Sequence, residues 1–104
     1  MKYINLLSVG CVAMTLLTSG VAGASEDLAK KYGCAACHTA AKKVVGPSWN
    51  DIAAKYKGDA KAVDSLALKV KAGGKGAWGN VPMPPQTKVS DADLKAILAW
   101  VMTH

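Results

Sequence analysis

Two cysteines and a histidine stand within five positions, Cys34-Ala35-Ala36-Cys37-His38, in a chain of 104 residues that holds three cysteines and two histidines in all. Three chemistries start from cysteines so spaced: a zinc site, a redox disulfide and covalent haem attachment. Structural zinc needs four ligands, and catalytic zinc needs three plus water. Only His104 remains as a second histidine, and no carboxylate cluster is evident to complete such a set. A thioredoxin-like disulfide expects a βαβ context, whereas nothing here alternates like a strand. C-x-x-C-H reads instead as a c-type haem attachment site. Two thiols can add to the two haem vinyl groups, and His38 then follows at the place from which an imidazole reaches the iron. Ala35 and Ala36 are small, which lets the bridged segment lie close to the macrocycle.

Iron held in this way has a sixth position, and methionine is an established partner of histidine there. Two methionines fall outside the N-terminal segment, Met83 and Met102. Met83 lies in "GGKGAWGNVPMPPQTKV", residues 73–89, whose four glycines and three prolines forbid a regular helix. Each proline fixes its own φ and restrains the residue before it. Such a stiff loop either aims the thioether at iron or is a rigid surface turn whose methionine fills a core gap. Met102 lies one turn past Leu98, which suits packing, and His104 as a sixth ligand would sit on a chain end. A carbonyl in the Gly46-Pro47 turn can accept the second N–H of His38, or that turn simply starts the next helix. Trp78 has an indole N–H that needs an acceptor when buried; a haem propionate would serve, as would ordinary packing. Trp49 and Trp100 read as core.

The elements that must position these residues are helical. Ser25 is expected to cap a first helix with Leu28 and Tyr32 on one face. Ser48-x-x-Asp51 opens a second, with Ile52, Ala53 and Tyr56 inward, and Gly58 closes it. Asp59 is expected to cap a third, in which Val63, Leu66, Ala67 and Val70 share a face; Gly73-Gly74 supplies its stop. Ser90-x-x-Asp93 starts a fourth with Leu94, Ile97, Leu98 and Val101 inward. The expected fold class is all-α.

Ahead of these helices, Met1-Lys2-Tyr3 is basic, Ile4 to Ala24 is free of acidic residues, and Ala22-Gly23-Ala24 precedes Glu26 and Asp27. That order describes a secretory signal peptide cleaved after residue 24, with a membrane anchor as the competing reading. Cys11 would leave with it. Residues 25–104 then form one domain of 80 residues with twelve lysines, no arginine and seven acidic residues. A domain this small usually needs a staple, metal or cofactor to complete its core, and a loop closed over two residues would add little as a disulfide. With no phenylalanine in the chain, haem would supply much of the interior. Export also sets nucleic-acid binding aside, and cleavage leaves no stable membrane insertion.

The stretches "GCAACH", "VGPSWNDIAAKY", "GAWGNVPMPP" and "LKAILAWVM" resemble the small bacterial class I cytochromes c, and among them the cytochrome c-551/c-552 family. The resemblance covers residues 26–102 in the family's order and spacing. It implies about four short helices around one covalently bound haem c, with Cys34 and Cys37 as thioether links and His38 and Met83 as axial iron ligands. It also implies hydrogen bonds from His38 to the Pro47 carbonyl and from Trp78 to a propionate. Gln86 stands where many members carry an asparagine that touches the methionine, and its longer amide can take that part. The function implied is a periplasmic one-electron carrier rather than an enzyme. Its partners would be redox proteins with acidic docking surfaces, such as a terminal oxidase, a reductase or a cytochrome bc1-type complex. Lys42, Lys43, Lys71, Lys75 and Lys88 would surround the haem edge and steer such partners, or serve solubility alone. The alternative is a haem enzyme or gas-binding sensor with a labile sixth ligand, although the chain is short for a substrate pocket with its own acid and base groups.

Overall fold

The computed structural model describes residues 21–104; Cys11 and nearly all of the expected signal peptide, residues 1–24, lie outside them. Helices α1 (Val21–Lys31), α2 (Trp49–Lys55), α3 (Ala62–Ala72) and α4 (Asp91–Val101) follow in order. A 3-10 turn at Cys34–Ala36 comes after α1, and a two-stranded antiparallel hairpin, β1 (Gly74–Gly76) and β2 (Gly79–Met83), joins α3 to α4. The fold is that of a mainly helical domain.

Local chemistry sets these boundaries. Ser48 and Ser90 cap α2 and α4, each hydroxyl accepting the backbone N–H three residues on, at 3.1 Å from Asp51 and 3.2 Å from Asp93. Asp91 and Asp93 lie in the first turn of α4, where the helix dipole favours negative charge. Gly33, at φ 77°, turns the chain out of α1 into the cysteine segment, a conformation glycine adopts without a Cβ penalty.

Helix α4 is the hub. It packs on α1, α2 and α3, and Leu94, Ile97, Leu98 and Val101 form its buried face. Ala29, Trp49, Ile52, Leu66 and Val89 complete the core. On α3 only Leu66 of the expected stripe is fully buried, with Val63, Ala67 and Val70 packed at the core's edge. One polar tie joins the first and last helices: the Tyr32 hydroxyl donates to Asp93 Oδ2 at 2.6 Å. That hydrogen bond holds the Tyr32 phenol above its ordinary value, with desolvation and the Asp93 charge acting the same way. Because the neutral phenol is the form the fold favours, its stabilisation is full below the ordinary tyrosine value and fades as pH rises through the raised one.

Three expectations need correction. Ser25 does not cap α1: the helix begins at Val21, and Ser25 is buried inside it. Val21-Ala22-Gly23-Ala24 ahead of it is helical as well, so Ser25 falls in the helix interior of the full chain. Asp59 starts a separate turn, its Oδ1 accepting Lys61 N at 2.9 Å, and α3 opens only at Ala62. The segment expected to be irregular forms the β1–β2 hairpin, with Gly74 opposite Met83 and Gly76 opposite Gly79. Its glycines carry the positive φ values of the turn, 104° at Gly76 and 105° at Gly79, so no apolar alternation was there to announce strands.

Since Leu94 is 2 % exposed at the centre of α4, Leu94→Ala should destabilise the protein by about 2–5 kcal/mol. Guanidinium unfolding of the haem-loaded protein would measure this, and a loss under 1 kcal/mol would contradict the packing described.

Candidate functional site

Beyond the 3-10 turn the chain doubles back on itself. Gly46 N donates to Cys37 O and Trp49 N to Thr39 O, both at 2.8 Å. This fold-back brings the Pro47 carbonyl 2.7 Å from His38 Nδ1. A carbonyl only accepts, so Nδ1 carries the hydrogen and Nε2 keeps the lone pair that a metal can use. The ring is held from a second side by Trp49, stacked at 4.8 Å between centroids and 24° between planes. Gly46 allows the approach: a Cβ there would stand 2.8 Å from His38 Nδ1 and still nearer Cε1. His38 is thus buried, oriented and fixed in one tautomer.

Beside it lies a cavity of about 450 Å³, within the roughly 300–1,000 Å³ usual for small-molecule and cofactor pockets. Cys37, His38 and Pro47 border it from the fold-back, Ile52, Leu66, Leu98 and Val101 from the helices, and Trp78, Val81 and Met83 from the hairpin. Most of this lining is hydrocarbon. Cys34 is not part of the wall; it is half-buried against the core one 3-10 turn from Cys37, and the two thiols are not joined in a disulfide. Burial pushes the Cys34 thiol up, Cys37 adds in the same direction, and a backbone hydrogen bond opposes them. Two thiols on one short turn, an imidazole with Nε2 free, a thioether and an apolar cavity form a donor set that fits a covalently attached haem.

Of the expected site residues, His38, Cys37, Pro47, Trp78 and Met83 meet at this cavity. Gln86 does not. Its amide donates to the Pro84 carbonyl at 2.9 Å, and it lines a separate crevice with Lys31, Tyr32 and Lys88. Among the lysines expected at the edge, Lys43 and Lys75 line the cavity and Lys69 joins them. Lys42 is not among the lining residues, Lys88 faces the smaller crevice, and Lys71 is 3.1 Å from Asp91 in an ion pair. Trp78 is 39 % exposed rather than buried, and Lys55 lies 4.4 Å over its ring while Lys55 Nζ donates to the Ala77 carbonyl at 2.7 Å. Met102 packs at the edge of the core, and His104 stands edge-on to Trp100 at 4.6 Å, away from the cavity.

Comparison with known proteins agrees with this geometry. The family model described as cytochrome c matches residues 24–104. Cytochrome c-552 of Nitrosomonas europaea is 53% identical over 91 residues, covering 88% of each chain. Cytochrome c-551 of Allochromatium vinosum is 50% identical, covering 86% of this chain and 94% of the relative. The crystal structure of wild-type Nitrosomonas europaea cytochrome c552 superposes with a TM-score of 0.72 at 54% identity, covering 75% of this chain and 96% of that one. The chain belongs to the cytochrome c family and has the class I cytochrome c fold. It therefore binds one covalently attached haem c and is a haem c electron carrier.

Gly46→Ala should push the His38 ring off the Pro47 carbonyl. With His38 as an iron ligand, losing that acceptor would lower the basicity of the imidazole, so the ferric state would be less favoured and the reduction potential should rise. Protein-film voltammetry with NMR of the His38 ring protons would test it; an unchanged potential with unshifted ring protons would contradict the close approach.

Proposed function

We propose that the protein is a periplasmic one-electron carrier in which His38 and Met83 are the two axial iron ligands. One observation carries this reading: a single apolar cavity is bordered both by His38, whose Nδ1 is already committed to Pro47, and by Met83. Bound there through Cys34 and Cys37, the haem supplies a reversible Fe(II)/Fe(III) couple. Residues of the chain set how that couple behaves. Pro47 and Trp49 hold His38 in one tautomer and one orientation. Met83, a soft donor, favours the reduced metal and raises the potential. Ile52, Leu66, Leu98 and Val101 keep water from the cavity, which penalises the more charged oxidised state. With two protein ligands there is no coordination position left for a substrate, which is why we read a carrier and not an enzyme. Trp78, at the hairpin tip and on the cavity wall, would offer its indole N–H to a propionate.

Lys43, Lys69 and Lys75 border the cavity, and the formal net charge of the whole chain is +6. A positive field around the site favours encounter with redox partners that present acidic surfaces, such as a terminal oxidase, a reductase or a cytochrome bc1-type complex. Periplasmic placement rests on residues 1–24 as a cleaved signal peptide, leaving 25–104 as the haem domain. Cleavage after Ala24 would fall inside α1 of the full chain, remove its first turn and leave Ser25 to begin the helix. No helix among the described residues is long and apolar enough to cross a membrane.

Visible spectra of the mature protein test the ligation. Haem bands should survive acid–acetone extraction, and the ferric sulfur–iron charge-transfer band should be present, lost in Met83→Ala and kept in Met102→Ala. A band that persists in Met83→Ala would overturn the assignment.

The partner reading has its own test in ionic strength. Oxidation by an anionic reagent such as ferricyanide should slow as salt rises, and slow further in a Lys43→Glu, Lys75→Glu variant. A rate that rises with salt would contradict positive steering.

A further inference from the structure

Gly73 ends α3 at φ 70° and ψ −177°, a positive-φ extended conformation that glycine adopts. A positive φ alone does not single it out, since Gly33 at 77° and Gly58 at 82° also have one and have open space where a Cβ would stand. The surroundings of Gly73 are different. A Cβ there would lie 2.7 Å from the Met83 carbonyl oxygen, 2.7 Å from the Pro85 nitrogen and 2.9 Å from Pro85 Cδ. Real Cβ atoms essentially never come within 3.0 Å of such neighbours. The obstructing atoms are backbone and proline ring, which cannot swing aside as the tip of a long side chain can.

The strip that carries Met83 is also tied down on both sides of this contact. Gly74 pairs with Met83 across the hairpin, and Gln86 N donates to the Val70 carbonyl of α3 at 3.0 Å. Pro82, Pro84 and Pro85 fix φ at three of the four positions from 82 to 85, and each restrains the residue before it. Little local adjustment remains, so a displacement imposed at Gly73 passes to Met83 as a whole.

From this contact we propose that Gly73 is the positioning residue for Met83: its missing Cβ lets the Pro82–Pro85 strip lie directly on the end of α3, at the depth from which the thioether reaches the iron. The proposal rests on Met83 being the sixth ligand. Adding a Cβ lifts the strip and raises the fraction of molecules in which Met83 is off the metal. An external ligand competing for that position binds more tightly in proportion to the fraction already open.

Gly73→Ala and Gly58→Ala each place a Cβ on a residue of positive φ, but only the first introduces a collision. In the haem-loaded protein, Gly73→Ala should weaken or abolish the ferric sulfur–iron band and raise the affinity for imidazole by about tenfold or more, as expected if the open fraction rises by that factor. Gly58→Ala should lower the melting temperature and leave both signatures as in the wild type. Equal effects of the two variants on band and imidazole affinity would overturn the proposal, as would a Gly73→Ala protein that keeps the wild-type band. If Gly73→Ala gives no folded holoprotein while Gly58→Ala does, the same substitution in a Met83→Ala background decides. Recovery there supports action through Met83; continued failure shows a role in folding alone and overturns the proposal. A wild-type protein without the band would instead remove the ligation reading first, a result separable from every outcome above.

Discussion

The hydrogen bond between His38 Nδ1 and the Pro47 carbonyl is the constraint on which the site is built. It requires the chain to return to within 2.7 Å of its own histidine nine residues later. That return is possible because the fold-back satisfies its own backbone groups, Gly46 to Cys37 and Trp49 to Thr39, and because Ser48 at once caps α2 and carries the chain away. Proline at 47 lends a carbonyl while bringing no N–H that would need an acceptor of its own. Trp49 then serves two masters, closing on His38 by one stacking contact and on Trp100 of α4 by an edge contact at 5.6 Å. His38 is thereby keyed to the hub helix of the fold.

Glycine recurs on both sides of the cavity for one physical reason. At Gly46 a Cβ would meet the His38 ring, and at Gly73 it would meet the backbone of Met83 and Pro85. His38 and Met83, which both border the cavity, are therefore each approached by a residue chosen for what it lacks. The backbone demands differ, however. Gly73 has a positive φ and Gly46 does not, so the first combines conformation with clearance and the second is clearance alone.

Legibility in the sequence follows the same physics. Helices α2 and α4 could be read because a serine cap and a 3.6-residue apolar stripe are properties of side chains present in the string. Cys34, Cys37 and His38 stood out because their spacing is itself a motif, and Met83 because prolines surround it; the fold brings Cys37, His38 and Met83 to one cavity. The hairpin could not be read, since glycine conformations specify it and glycine carries no pattern. Ser25 misled because a good cap residue is overruled where the chain ahead of it, Val21-Ala22-Gly23-Ala24, is already helical. Gln86 misled because a neighbour in sequence to the Met83 strip turns away in space, its backbone held by Val70 and its amide by Pro84. Lys71 looked like part of the rim until Asp91, twenty positions on, took its charge. Gly46 and Gly73 went unnoticed because clearance has no signature in composition.

Size explains why the cofactor has to be part of the fold. Were the cavity of about 450 Å³ closed and left unfilled, its cost at ~24 cal/mol per Å³ would be about 11 kcal/mol, as large as the whole stability of an ordinary domain at about 5–15 kcal/mol. An open mouth admits water and lowers that figure, but water against Ile52, Leu66, Leu98 and Val101 forfeits the apolar burial those side chains exist to provide. A filler that could dissociate would make stability depend on its concentration. Covalent attachment, for which Cys34 and Cys37 are the proposed links, would remove that dependence, because the group that completes the core is then carried by the same chain. The two cysteines are in this sense core residues as much as site residues, and the turn that holds them is placed directly after α1, where Gly33 can direct the chain toward the cavity and Tyr32 can bind α1 to Asp93 of α4.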